Sequence, residues 1–196
     1  MKKINIYKKD IFSIDEINTL SWSPLTHDWF GQVARNKFCF KLAVDKSNLY
    51  FQVMSDSKPW YFTEYSPQTY QPELWKRDVA ELFLKDKSSN SYQEFNLAPN
   101  ACWWTQVFES YRSVSNKNFL ASPPIQAESN LDGSWQALMT IPHCQVFKNL
   151  DQLLGNITFV QGDPQKFYSW GKSQKSKPDF HDPVLMNDFV FKDIII

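Results

Sequence analysis

The sequence predicts an all-β fold: a two-sheet antiparallel β-sandwich of the jelly-roll type with one or two short helices. Eight or more short segments alternate apolar and polar residues with the period of two that half-buried strands require. Long polar or proline-containing connections separate these segments, and helical signals are confined to two stretches. There is no internal repeat and no second domain boundary, so we expect a single domain spanning residues 1–196.

The first half of the chain is expected to contain a short helix, a hairpin and a long loop. Ser13 and Glu16 are spaced as a capping box, which predicts a helix in SIDEINTLSW. The alternating segments KFCFKLAV and NLYFQVM are joined by the turn residues DKSN, which is typical of a β-hairpin. Residues 55–73 contain three prolines and five aromatic residues, so we expect a loop there rather than a strand.

The second half supplies the other strands. In DVAELFL, Ala80, Leu82 and Leu84 form an apolar face, and Glu81 lies on the opposite face. If the following strand YQEFNL pairs with it as a hairpin, Glu94 and Asn96 share a surface with Glu81. SNKNFLASPPIQAESNLDGS is expected to be a connection with one edge strand, and IPHCQVFKNLDQLLG to hold one or two helical turns. Further strands are predicted at CWWTQVF, WQALMTI, NITFVQ and DFVFKDIII.

Composition excludes several functional classes. The formal net charge is zero and there is no basic cluster, so we expect no nucleic-acid partner. No uninterrupted apolar stretch follows the N-terminal lysines, so we expect neither a signal peptide nor a membrane span. The three cysteines, Cys39, Cys102 and Cys144, are odd in number and lack metal-ligand spacing, which favours free thiols in a reducing compartment, the cytoplasm. We expect a monomer. Secretion stays open if a leader precedes the chain.

Metal binding and catalysis receive little support. The three histidines are far apart and there is no HExxH motif, so we expect no metal and no cofactor. Asp179, His181 and Asp182 in PDFHDP are more typical of a tight, capped turn than of a cation site. One catalytic alternative is a glycoside-active enzyme in which Glu81 and Glu94 act as paired carboxylates.

The surface that Glu81, Glu94 and Asn96 are expected to share suits a saccharide. A pyranose packs its C–H face on an aromatic ring, and its hydroxyl groups bond to carboxylate and amide side chains. Aromatic residues make up 16% of the chain, which favours a ring-lined ligand site. The alternative, which spacing alone favours slightly, is that Glu81 forms an ion pair with Arg77, Arg112 or a lysine on an exposed surface.

The stretch WKRDVAELFLKDKSSNSYQEFNLAPNACWW resembles the signature of the DOMON-like type 9 carbohydrate-binding family. That signature is a D-x-x-E-x-F strand followed by a tyrosine and an E-F-N segment. The C-terminal half also resembles the family, in WQALMTIP and in the PDFHDP ending, and the match covers roughly residues 35–191. The residues that match the signature in order are Asp78, Glu81, Phe83, Tyr92, Glu94, Phe95 and Asn96.

The resemblance implies a non-catalytic β-sandwich that binds a mono- or oligosaccharide between two tryptophans. Carried over by order, Trp75 is the first tryptophan, Trp170 is the second, Glu81 is the carboxylate, and Glu94 and Asn96 are the polar pair on the next strand. Related modules also carry structural calcium, for which this sequence has no aspartate-rich loop.

The chain also departs from the family pattern. Val79-Ala80 precedes the strand glutamate where the family has small or cysteine residues, and Asn100 stands where the family favours glycine. Both departures affect loop geometry. They leave open a further alternative, an interaction domain that has kept the sandwich and lost the sugar site. Trp135 lies in the strand motif and is expected in the core.

Overall fold

The computed structural model describes residues 3–116 and 125–194, which form strands joined by long loops. The helical segments within these ranges are α1 (Ile14–Thr19) and single 3₁₀ turns at Leu74–Lys76, His143–Gln145, Leu150–Gln152 and Pro183–Leu185. The strands are β1 (Ile4–Lys8), β2 (Ser23–His27), β3 (Val33–Val44), β4 (Asn48–Ser55), β5 (Val79–Asp86), β6 (Tyr92–Leu97), β7 (Trp103–Ser110), β8 (Ser113–Val114), β9 (Gln126–Leu131), β10 (Trp135–Pro142), β11 (Leu153–Gln161), β12 (Lys166–Ser169) and β13 (Asn187–Asp193).

The strands form two sheets. The first has the order β1-β3-β4-β10-β9, with β2 paired to β3, and the second has the order β8-β7-β6-β5-β11, with β12 paired to β11. Strand β13 joins them, because it runs parallel to β1 and antiparallel to β11. Apart from the pairs that β1 makes with β13 and β3, the pairing of these strands is antiparallel. The predicted all-β sandwich is therefore confirmed.

The core lies between the inner faces of the two sheets. Phe38 and Phe40 of β3 belong to the same buried cluster as Leu82 and Leu84 of β5. Trp135 is also part of it and is 1% exposed, which confirms the prediction that it is a core residue. The apolar face that the sequence predicts for β5 is thus the face turned to the core.

A second buried cluster covers the outer face of the second sheet. Val79 and Phe83 of β5 contact it from the sheet, while Leu74, Phe180 and Leu185 come from the loops and 3₁₀ turns that cross this face. Both faces of β5 and β6 are consequently buried. Sequence periodicity predicts a half-exposed strand here, and the covering loops are the physical reason for the difference.

The short helix and the hairpin follow the prediction. Ser13 accepts a hydrogen bond from the backbone N–H of Glu16, and the Glu16 side chain accepts one from the backbone N–H of Ser13, so the capping box is formed. Strands β3 and β4 pair from Phe38–Ser55 to Val44–Leu49. Of the predicted connection after β8, residues 117–124 lie outside the described residues, and its edge strand is β9. None of the described helices is long and apolar enough to cross a membrane.

Lys41 holds the helix against the first sheet. It is 2% exposed, and its ammonium donates to the backbone carbonyls of Ile17, Asn18 and Leu20 at 2.9–3.1 Å. The same ammonium lies 4.1 Å from the centre of the Trp22 ring. The Asn18 and Leu20 carbonyls are at the end of α1, where backbone acceptors lack partners within the helix, and the Ile17 carbonyl also accepts from the Leu20 N–H.

We expect Lys41→Met to lower the free energy of unfolding by about 1–3 kcal/mol. The methionine fills the space of the stem but leaves carbonyl groups without donors, and unsatisfied buried acceptors cost about this much. Urea denaturation measures the change, with Lys37→Met, an exposed position on the same strand, as the control. Equal stability of the two variants would contradict this role.

Candidate ligand-binding cleft

A cleft of about 400 Å³ opens over the outer face of the second sheet. Glu81 of β5, Glu94 of β6 and Val160 of β11 form its floor. Loops and edge segments provide its walls. The wall residues used below are Trp75, Arg112, Gln165, Phe167, Phe180 and His181.

Strand register brings the polar floor residues together. In the β5–β6 pair Glu81 lies opposite Asn96, and Phe83 lies opposite Glu94. Because alternate residues share a face, Glu81, Glu94 and Asn96 project from the same side of the sheet, as the hairpin predicted. Glu81 and Glu94, which line the cleft, are each 4% exposed, whereas Asn96 is 1% exposed and does not line it.

The carboxyl groups have few hydrogen-bond donors. Thr158 of β11 donates its hydroxyl hydrogen to Glu81 Oε2 at 2.8 Å. The side chain of Asn96 donates a hydrogen bond to Glu94. Asn96 Oδ1 is buried and has no hydrogen-bond partner in the part of the chain that the structure describes. The floor therefore presents more acceptors than donors.

Burial favours the protonated form of both glutamates. Burial raises the pKa of Glu81 to about 7, even though the hydrogen bond from Thr158 and the positive charge of Arg112 both lower it. The pKa of Glu94 is raised well above its usual range, first by burial and then by repulsion from Glu81. A pair of carboxyls this close cannot ionise independently, and at neutral pH it retains a proton.

His181 forms part of the wall but does not neutralise the carboxyls. Its Nδ1 lies 2.7 Å from the Tyr92 hydroxyl, and its Nε2 lies 3.8 Å from Glu94 Oε2. The ring packs edge-on against Phe83 and Phe108. Burial, together with the Arg112 charge, lowers the pKa of His181 to about 4, so the imidazole is uncharged at neutral pH.

Arg112 is the one lysine or arginine among the described residues that line this cleft. Its Nη2 donates to Asp179 Oδ1 at 3.1 Å, and its Nε donates to the Tyr111 hydroxyl at 3.2 Å. Lys175 also bonds to Asp179, at 2.8 Å. The guanidinium is thus already paired with a carboxylate outside the floor.

Trp75 forms the exposed aromatic wall. Its neighbour Leu74 is buried in the outer cluster, and Gln165 Nε2 donates to the Trp75 carbonyl at 2.9 Å. These contacts hold the backbone of the 3₁₀ turn while leaving the Trp75 side chain 51% exposed. An indole fixed in this way is a platform for an apolar ligand face.

Glu81 does not form the surface ion pair that the sequence left open. It is buried, and no lysine or arginine of the described ranges forms a salt bridge with it. Arg77 instead stacks on the rings of Trp60 and Phe62, at 4.2 and 5.0 Å.

The structure does not bring Trp170 to this cleft. Strand alternation explains its position: Phe167 joins the outer cluster, whereas Tyr168 belongs to the inner core and Trp170 packs against that core. The Trp170 ring lies edge-on to Phe40 with centroids 5.1 Å apart. Trp170 lines a second cleft, of about 320 Å³, with residues 25–31 and 169–173. The two tryptophans of the expected sugar clamp therefore lie in different clefts.

Sequence reasoning missed five residues of the wall, and one of them, Gln165, lies in the turn before β12. Phe167 was detectable, since the alternation in KFYS sets it on the face opposite Tyr168. Phe180 and His181 belong to a segment predicted as a capped turn, and Asp182 does cap it by accepting from the Val184 N–H at 3.1 Å. Arg112 follows β7, and the sequence suggested it only as an ion-pair partner of Glu81 and not as part of a cleft. Within residues 3–116 and 125–194 no three histidine, cysteine or acidic side chains are placed to hold a metal ion.

Comparison with known proteins identifies the fold. No family model matches the sequence, and no curated protein matches it. Among solved structures, a proposed carbohydrate-binding protein from Bacteroides uniformis has a TM-score of 0.71 at 16% identity, over 97% of this chain and 99% of that one. A family 9 carbohydrate-binding module from Caldicellulosiruptor kristjanssonii in complex with cellotriose has a TM-score of 0.66 at 12% identity, over 99% and 95% of the two chains. A family 9 module from the same organism in complex with glucose has a TM-score of 0.66 at 12% identity, over 99% and 97%.

Proposed function

We propose that this chain, which has the fold of family 9 carbohydrate-binding modules, binds a mono- or oligosaccharide in the Trp75 cleft without cleaving it. The observation that carries the proposal is an exposed, backbone-fixed tryptophan beside two buried carboxyls in one cleft. The cleft volume of about 400 Å³ is within the usual range for small-molecule sites. Structural neighbours solved with glucose and cellotriose support a saccharide as the ligand class.

Each wall has a separate part in such binding. The apolar face of a pyranose would pack on Trp75, as carbon-bound hydrogens do on aromatic rings. Glu81 and Glu94 would accept hydrogen bonds from hydroxyl groups, and the amide of Gln165 would donate to a hydroxyl at the rim. Asn96, which does not line the cleft, would support Glu94 through a side-chain hydrogen bond.

The electrostatics favour binding over hydrolysis. Glycoside hydrolysis by two carboxyl groups requires one of them to be ionised while the other carries a proton. Here burial shifts the pKa of both Glu81 and Glu94 upward, and the cationic side chain closest to them, Arg112, is paired with Asp179. Among the described residues, neither carboxyl is thus paired with a lysine or arginine that would hold it ionised as a nucleophile or base.

Isothermal titration with glucose, cellobiose and a panel of other saccharides tests the proposal. We expect Trp75→Ala to weaken binding by about tenfold or more, because the stacking platform is lost. Trp170→Ala is the matched variant. It removes the tryptophan of the other cleft, and we expect it to change saccharide affinity by less than about twofold.

Circular dichroism of both variants separates lost folding from lost binding. Absence of binding to any saccharide by the wild-type chain would refute the proposed function. Loss of binding in Trp170→Ala but not in Trp75→Ala would place the site in the other cleft.

A further inference from the structure

We propose that the Trp75 cleft prefers saccharides that carry a protonated amine, that is amino sugars, over neutral saccharides of the same shape. The inference rests on the proposed function and narrows its ligand class. It comes from the hydrogen-bonding and charge balance of the cleft floor.

The carboxyl oxygens on the cleft floor have fewer hydrogen-bond donors than they can accept. Glu81 accepts one hydrogen bond, from Thr158, and Glu94 accepts one, from Asn96, although a carboxylate has about four acceptor positions. Buried acceptors of this kind are costly until a donor reaches them. An ammonium group supplies three N–H donors from a single atom, whereas a hydroxyl group supplies one.

The two glutamates of the floor also lack a positively charged partner, because the nearby cations are paired with other carboxylates. Arg112 shares Asp179 with Lys175, and Lys175 also bonds to Asp182 at 2.8 Å, so the two cations and two carboxylates at the rim balance one another. Glu81 and Glu94 are left without an ion-pair partner in the described part of the chain, apart from the uncharged imidazole of His181. A ligand cation placed between them would compensate a buried charge, and buried charges are stable only when paired.

A metal ion fits the floor less well than an amine. The described residues offer no set of three histidine, cysteine or acidic side chains arranged for a metal ion. The walls are aromatic instead: Trp75 is exposed, and Phe167 and Phe180 lie at 6.1 Å from one another, centroid to centroid. Aromatic faces attract ammonium groups as well as apolar ring faces. The cleft therefore matches a cation carried on a sugar ring.

The preference can be tested with three disaccharides. They differ only in the substituent at the second carbon of each sugar ring. They are cellobiose, the glucosamine dimer of the same linkage, and its fully N-acetylated form. At about pH 6, where the sugar amine is protonated, we expect the glucosamine dimer to bind about tenfold or more tightly than cellobiose. The acetylated dimer, which is neutral, should bind no more tightly than cellobiose.

The outcomes separate this inference from the proposed function. Equal binding of cellobiose and the amino dimer, or tighter binding of cellobiose, overturns the inference and leaves saccharide binding intact. Absence of binding by all three sugars overturns both.

Variants test whether the floor carboxyls cause the preference. Glu94→Gln keeps the shape of the side chain, and we expect it to reduce the ratio of the two affinities to about threefold or less. The exposed Glu128→Gln on β9 is the control and should leave the ratio unchanged. If Glu94→Gln does not fold, Glu81→Gln serves the same purpose. An unchanged ratio in a folded floor variant would refute the inference.

Proton release is a second readout. The titratable and charged groups around the floor are Glu81, Glu94, Tyr92, His181 and Arg112, with Asp179 behind Arg112. Because burial raises the pKa of both glutamates, a bound ammonium should displace a proton near pH 7, and a neutral sugar should not. Titrations in two buffers of different ionisation enthalpy measure this release. Its absence with the amino dimer would contradict the inference.

Discussion

Replacing Gly171 with alanine is expected to lower the free energy of unfolding by about 2–4 kcal/mol, as overpacking against a fixed neighbour does. A Cβ atom at this position would lie 2.0 Å from the Leu185 carbonyl oxygen and 2.7 Å from the Leu185 carbonyl carbon. These are backbone atoms of the Pro183–Leu185 turn, so no side-chain rotation relieves the contact. The Gly171 N–H also donates to Asn156 Oδ1 at 2.9 Å, which fixes it from the other side.

Gly133→Ala is the matched control. Nothing lies within 4 Å of a Cβ at Gly133, and its cost is limited to the strain of a positive φ of 94°. Thermal and urea unfolding of both variants measure the difference. A Gly171→Ala protein no less stable than Gly133→Ala would show that the Pro183–Leu185 turn does not pack against Gly171 as described.

Glu81→Gln is expected to raise the free energy of unfolding at pH 8 by up to about 3 kcal/mol. The pKa of Glu81 is about 7 in the folded chain, against an ordinary value of 4.5 for a solvated glutamate. The folded state therefore binds more protons than the unfolded state between these values, and the stability that this group contributes falls as the pH rises through that window. Glutamine keeps the shape and cannot ionise, so the variant avoids this loss.

The neighbouring His181 acts in the opposite direction. Its pKa of about 4 lies below the usual 6.5, so its contribution to stability rises with pH between these values. Wild type and Glu81→Gln share this histidine, and their difference isolates the glutamate. Urea unfolding at about pH 4 and pH 8 should show nearly equal stability at the lower pH and a more stable variant at the higher one. Equal stability at both values, with the exposed Glu128→Gln as reference, would contradict the burial of an uncompensated carboxyl.

The predictions for Glu81 and Glu94 imply that the residues that would bind an amino sugar also lower the stability of the free protein. The floor that would bind an amine leaves Glu81 and Glu94 short of donors in the free protein, and a glutamine there relieves this cost. Uncompensated polar groups are commonly retained at binding sites for this reason. The shortage of donors at Glu81 and Glu94 therefore predicts that a glutamine variant is more stable than the wild type and binds amino sugars less well.

Much of the site floor could be predicted from the sequence because it depends on local strand pairing. The period of two in DVAELFL and YQEFNL, with a short connection, fixes Glu81 opposite Asn96. The capping box at Ser13 and the core position of Trp135 are local in the same sense. Such features follow from residues near each other in the chain.

Features that depend on distant pairing were missed. Strand β1 has only the short pattern INIYK between lysines, yet it is held centrally between β13 and β3. The burial of Glu81 also results from distant segments, since Leu74, Phe180 and Leu185 cover that face. Trp170 was placed beside Trp75 by motif order, but strand alternation turns it toward Phe40.

A crystal structure of the chain with its tightest-binding saccharide tests the central claim most directly. We predict a sugar ring packed on the indole of Trp75, with a hydroxyl or ammonium group about 2.7–3.2 Å from a carboxyl oxygen of Glu81 or Glu94. A sugar bound instead in the cleft lined by Trp170, with none against Trp75, would contradict the account.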